Sequence, residues 1–78
     1  MSRLLLLGPA REAAGVRNDE IDGDTVAEVI AAAVARYGSR FQEIVAVSQL
    51  WVNGNAADPT QVVGPSDEIA VLPPISGG

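Results

Sequence analysis

The sequence predicts an α+β fold, a mixed sheet of roughly four to five strands with one main helix packed across one face. Three observations carry this reading. Residues 4–7 and 68–72, at opposite ends of the chain, are the most apolar short runs, as neighbouring central strands would be. Residues 25–37 hold the longest stretch of helical periodicity. Asn53-Gly54 marks a tight hairpin, because both central residues of a type I′ turn need positive φ.

Taken in order, residues 4–7 (four leucines) are halted by Gly8-Pro9 and read as a strand buried on at least one face. Residues 10–16 are too short for a helix before Gly15 and read as a loop with one turn at most. Residues 18–22, polar apart from Ile21, suit an edge strand, and Gly23-Asp24 turns out of it. Thr25-Val26-Ala27-Glu28 then fits a capping box, with Thr25 accepting from the Glu28 N–H and Glu28 reaching back to the Thr25 N–H. Val26, Val29, Ile30, Ala33, Val34 and Tyr37 form one apolar stripe, the interior alanines favour helix, and Gly38 stands where a left-handed C-terminal cap is wanted.

Residues 38–47 read as an irregular or short helical return containing Phe41, Ile44 and Val45. Leu50-Trp51-Val52 enters the hairpin, and residues 55–57 leave it as a short return strand. Asp58-Pro59-Thr60 breaks the chain, and Val62-Val63 packs beneath a turn at residues 64–67. Residues 68–72 form the last strand, ended by Pro73-Pro74. The long helix joins the opening pair of strands to the later ones, so it lies across one face, with first and last strands parallel at the centre. That arrangement is a β-grasp, the ubiquitin-like architecture. Residues 1–72 are read as one domain and residues 73–78 as a flexible tail.

Alternation divides the central strands. With Leu4, Leu6, Ile69 and Val71 towards the helix, Leu5, Leu7, Ala70 and Leu72 point the other way. One helix cannot cover both faces, so the far face is left apolar. Exposed contiguous apolar surface usually marks an interface. Either the 8–16 loop or a second copy would be the alternative cover.

Composition narrows the chemistry. At 78 residues the chain is one small domain, and it has neither cysteine nor histidine. Disulfides, thiolate metal sites, catalytic thiols and the commonest general base are therefore excluded. A charge of −5 argues against nucleic acid or anionic membrane and suits a basic protein surface. The five basic residues are all arginine (Arg3, Arg11, Arg17, Arg36 and Arg40), so any lysine amine in its chemistry comes from a partner. The leucine run after Arg3 ends well short of a secretory core, and nothing approaches the roughly 20 apolar residues of a membrane span. The expectation is a soluble cytoplasmic protein. Asp67-Glu68 reads as a turn and edge feature rather than an acid/base pair.

The tail, Pro73-Pro74-Ile75-Ser76-Gly77-Gly78, carries the functional signal. Two prolines forbid helix and hold the approach extended. Gly77 and Gly78, lacking Cβ atoms, make a thin tip able to thread where side chains would clash. Its one reactive group is the Gly78 carboxylate. Such an arm presents that carboxylate to another enzyme.

These residues together resemble the small, sulfur-carrying subunit of molybdopterin synthase, within the ubiquitin-like sulfur-carrier group. The resemblance is carried by the apolar first strand running into Gly8-Pro9-Ala10-Arg11-Glu12-Ala13-Ala14-Gly15, by Thr25-Val26-Ala27-Glu28, by Val52-Asn53 and by the stretch from Asp67 through Pro73-Pro74 to Gly77-Gly78. Leucines stand where that family often has phenylalanines, in the first strand and before the double proline. The resemblance implies that an ATP-dependent adenylating and sulfurating enzyme activates Gly78, that a sulfur donor converts it to a thiocarboxylate, and that the tail (Pro73, Pro74, Ser76, Gly77) threads into a larger catalytic subunit. Sulfur then passes to a pterin precursor of the molybdenum cofactor. Leu5, Leu7 and Leu72, on the open face, are the expected partner contacts; Arg11 is either a further contact or half of a local surface ion pair with Glu12. No cofactor or metal is expected on the chain itself, and no catalysis by it alone. Sibling readings are a sulfur carrier for thiazole (thiamine), cysteine or tRNA thiolation, and a ubiquitin-like protein modifier.

Overall fold

The computed structural model describes residues 1–74. Eight elements follow one another: β1 (Ser2–Leu6), α1 (Gly8–Ala14), β2 (Asn18–Ile21), α2 (Val26–Tyr37), α3 (Ser39–Ala46), β3 (Gln49–Val52), β4 (Asn55–Ala56) and β5 (Glu68–Leu72). The five strands form one sheet in the order β2-β1-β5-β3-β4. Parallel β1 and β5 are central, with Leu4 opposite Ile69 and Leu6 opposite Val71. The other neighbours are antiparallel. This is the β-grasp architecture, with the helices on one side.

The core lies between sheet and helices. Leu4, Leu6, Ile69 and Val71 are fully buried, together with Val26, Val29 and Ala33 of α2 and Phe41 of α3. Ile30, Val34 and Tyr37 complete the α2 stripe as partly buried neighbours of that core. The start of α2 has backbone donors without intrahelical partners. Carbonyls of the 57–67 segment supply them, with the Val26 N–H on Gln61 (3.0 Å) and the Ala27 N–H on Pro59 (2.9 Å). The hairpin turn has φ of 52° at Asn53 and 84° at Gly54, both positive as a type I′ turn requires.

Four expectations need correction. Residues 8–14 are a helix rather than a loop, because Pro9 in the first turn is compatible with helix initiation and Gly15, left-handed, caps the end by donating its N–H to the Arg11 carbonyl. That helix goes to the helical layer, where Ala10 is buried and α1 packs on α3, so it does not cover the far face. In the cap of α2, Thr25 accepts from the Glu28 N–H (3.2 Å), but Glu28 returns to the N–H of Asp24 (3.1 Å), one residue earlier than a capping box places it. Gly38 has φ 100° and ψ −173°, outside the left-handed helical region, because the chain extends there directly into α3, a regular helix of eight residues. Finally, only Val63 of the Val62-Val63 pair is buried. Val62 bridges Thr25 through its backbone and leaves its side chain 76% exposed.

Candidate functional site

The site is the place where β5 delivers the chain into its C-terminal segment. Two hydrogen-bond clusters fix that strand and its neighbours. At its start, Asn53 donates from Nδ2 to Asp67 Oδ1 (2.8 Å), and its own Oδ1 accepts the Glu68 N–H (3.0 Å). The other Asp67 oxygen accepts the Gly64 N–H (2.8 Å). The Asn53 amide, and after it the Gly64 N–H, hold the Asp67 carboxyl below its ordinary range. Asp67 is thus a turn-forming acceptor. On the edge strand, Asp19 Oδ2 accepts from the Tyr37 hydroxyl and from Arg36 Nη1 (2.7 Å), tying β2 to the end of α2. Those bonds lower the Asp19 pKa, while burial and then the Asp19 bond push the Tyr37 hydroxyl up to about 12.

The face of the sheet opposite the helices is ordered by register. Asn18, Leu5, Ala70, Trp51 and Ala56 stand in one row across five strands, since Leu5 pairs with Asn18 and Ala70, and Trp51 with Ala70 and Ala56. Above it Leu72 pairs with Gln49. Leu7, still extended as the N-terminal cap of α1, continues the alternation of β1. Leu5, Leu7, Trp51, Ala70 and Leu72 are all only partly buried. Below the apolar row runs a charged one, where Glu20, Arg3 and Glu68 are aligned and Arg3 lies 4.0 Å from Glu68.

Leu72, Pro73, Pro74, Gln49 and Val47 line an open hollow of about 340 Å³ where the chain leaves the sheet. Val47 is 66% exposed there and adds an apolar side chain to the rim of the hollow. The structure thus brings Leu5, Leu7 and Leu72 to one face, with Pro73 and Pro74 at its upper border. Arg11 is exposed on α1, the helix that Leu7 caps. Among the described residues the ion pairs are Arg3–Glu68, Arg36–Asp19 and the Met1 amine with Asp22, so Arg11 and Glu12 do not pair with each other. Ser76, Gly77 and Gly78, with Ile75, lie outside the described residues.

Trp51 and Val47 were not legible as members of this surface. Trp51 shows itself only as part of a strand; assigning its face takes the long-range pairing with Ala70. One signal was available, since Val52 before the hairpin is a natural core residue and alternation then turns Trp51 outwards. Among the described residues no group of His, Cys, Asp and Glu is placed to hold a metal ion, and no helix is long and apolar enough to cross a membrane.

The model of the ThiS family matches residues 4–78, nearly the whole chain and the Gly77-Gly78 end with it. The chain belongs to the ThiS family. It is thereby a member of the ubiquitin-fold sulfur-carrier superfamily, and its general role is that of a sulfur carrier or ubiquitin-like modifier. Solved structures agree with the fold. The crystal structure of SAMP1 from Haloferax volcanii is 28% identical, with 99% of this chain and 98% of that one covered and a TM-score of 0.83. A putative molybdopterin converting factor, subunit 1, from Pyrococcus furiosus is 25% identical over 95% of this chain and 97% of its own, with a TM-score of 0.83. The small archaeal modifier protein 1 of Methanosarcina acetivorans, at 24% identity, covers 99% of this chain and 95% of its own with a TM-score of 0.88, a likeness of fold.

Proposed function

We propose that this member of the ThiS family carries its chemistry at Gly78 and its recognition on the Leu5, Leu7, Trp51 and Leu72 face. The observation that carries the proposal is the family match reaching residue 78, on a chain whose last segment departs from the central strand β5 beside an apolar face. A carboxylate is a poor acyl donor because oxide is a poor leaving group. In the proposed cycle an oxygen of the Gly78 carboxylate attacks the α-phosphorus of ATP on a partner enzyme, and pyrophosphate leaves. Hydrosulfide then attacks the carbonyl carbon, AMP leaves, and a thiocarboxylate remains; where the donor is a persulfide, a second thiol first cleaves the S–S bond of the acyl disulfide. ATP, the sulfur donor and the acid/base groups belong to partners. The chain supplies a reactive end and a surface for docking, and Gly77 and Gly78 keep the carbonyl open to attack.

The acceptor is drawn from the sibling group. Likeness to the Pyrococcus protein supports delivery to a pterin precursor through the large subunit of molybdopterin synthase. Likeness to SAMP1, slightly higher in identity, supports attachment to other proteins as a modifier. The general carrier reading therefore stands above the pterin-specific one that the terminal motif suggests. Intact-mass measurement of the full chain, incubated with its adenylating partner, Mg-ATP and a sulfur donor, tests the proposal. Replacement of one oxygen by sulfur is expected, and is lost when Gly78 is deleted. A plain carboxylate alone, with a partner that demonstrably turns over ATP, overturns the sulfur reading. Amide-linked conjugates without thiocarboxylate select the modifier branch.

A further inference from the structure

We infer that no side chain of this chain receives an activated Gly78 terminus, so copies do not build on one another through side-chain links. The inference rests on the activation of Gly78 proposed above. An activated acyl group is consumed near neutral pH by thiolates, amines and imidazoles. None is present as a side chain. The sequence has no Cys and no His, and its basic residues are arginines, whose guanidinium stays protonated and does not attack.

Hydroxyls remain, and most of those among the described residues are engaged. The Tyr37 hydroxyl donates to Asp19. Ser2 is fully buried and donates to the Gly64 carbonyl (3.0 Å), and Ser48 donates to the Ile44 carbonyl (2.6 Å). Ser39, Ser66 and Thr60 are exposed, and the Thr60 hydroxyl lies 3.5 Å from Asp58 Oδ1, at the far limit of a hydrogen bond. A serine hydroxyl attacks only when a base takes its proton, and the carboxylate next to Ser66, on Asp67, is occupied at both oxygens by Asn53 and Gly64. The α-amine of Met1 lies 3.9 Å from Asp22. It stands at the opposite end of the sheet from Leu72, because β1 and β5 run parallel. Its side chains are therefore inert towards an activated end, and the α-amine is the one nucleophile that a second copy can offer. A target amine, by contrast, forms a C–N bond as the bond from the carbonyl carbon to its leaving group breaks.

The test supplies the activation chemically, so its outcome is independent of whether the partner enzyme adenylates Gly78. The full chain is released from an intein fusion by a small thiol, which leaves Gly78 as a thioester. Attack by an amine breaks the C–S bond, forms the amide and puts the proton on the released thiol. Hydroxylamine, added to a parallel sample, converts the terminus to a hydroxamate and reads the donor alone. With its Met1 amine acetylated during expression and held concentrated without added nucleophile, the wild-type chain is expected to return only the hydrolysed carboxylate. Arg17→Lys and Arg40→Lys, acetylated at Met1 in the same way and each carrying one exposed amine, are expected to yield a two-chain amide lighter than two chains by one water. A two-chain or internally cyclised product of the acetylated wild-type chain, linked through a serine, threonine or tyrosine, overturns the inference. So do lysine variants that self-conjugate no more than wild type while their hydroxamate forms normally.

Discussion

On β1 and β5, Leu4, Leu6, Ile69 and Val71 are sealed beneath the helices, whereas Leu5, Ala70 and Leu72, one residue away along the same strands, stay partly exposed. Residue type does not separate the two sets, since leucine occurs in both. The difference is where the helices lie. Every helix lies on one side of the sheet, so one set of side chains gains the full transfer free energy of burial, about 1.5–3 kcal/mol for a leucine or isoleucine. The other set leaves part of it unrealised until a partner covers the surface. One pair of strands thus holds the fold together with one face and offers the other for binding.

Three substitutions break or sharpen that comparison. Ile69→Ala, on the sealed face, is expected to cost about 2–5 kcal/mol in denaturant unfolding, a large part of a small domain's stability. A loss below about 1 kcal/mol would show that this face is not the core. Leu72→Asp, three residues further along β5 and on the open face, is expected to leave the fold intact in circular dichroism. It should weaken capture of the adenylating partner by roughly 1–2 kcal/mol, on the scale of interface anchors. An unfolded Leu72→Asp chain would invert the assignment of faces. The smallest effect concerns the edge. Because the Asp19 pKa is lowered in the folded chain, its contribution to stability is present above the ordinary carboxylate value near 3.8 and is lost as pH falls through the lower folded value. Asp19→Asn should therefore flatten the acid side of a stability–pH profile. An unchanged slope would mean that the bonds from Tyr37 and Arg36 add nothing to stability in solution.

Local signals told most of the architecture. The α2 stripe, the Asn53-Gly54 turn and the two apolar end runs each specify an element from neighbouring residues alone, and together they leave few ways to assemble a sheet. What escaped was either ambiguous locally or settled at long range. Gly8-Pro9 ends a strand and starts a helix with the same two residues, and Gly15 is the matching stop. Glu28 lies within reach of two successive backbone donors, and the path of Asp24 decides between them. Val62 and Val63 differ in burial because the bridge to Thr25 aims one of them outwards. Of the candidate site, Leu5, Leu7 and Leu72 follow from alternation, but Trp51 and Val47 join them only once β3 is set beside β5 and α3 is folded back to it.

The parallel pairing of β1 with β5 has a mechanical consequence. β5 is hydrogen-bonded on both sides, to β1 and to β3, and its direction is that of the departing chain. Tension applied to that end, by a channel that grips it or a motor that draws it in, acts along the strand and loads both ladders in shear. Bonds along the strand then share the load and must yield together, whereas a hairpin peeled from its open end gives way one bond at a time. An enzyme can thus haul on this domain by its end and move it as a rigid body.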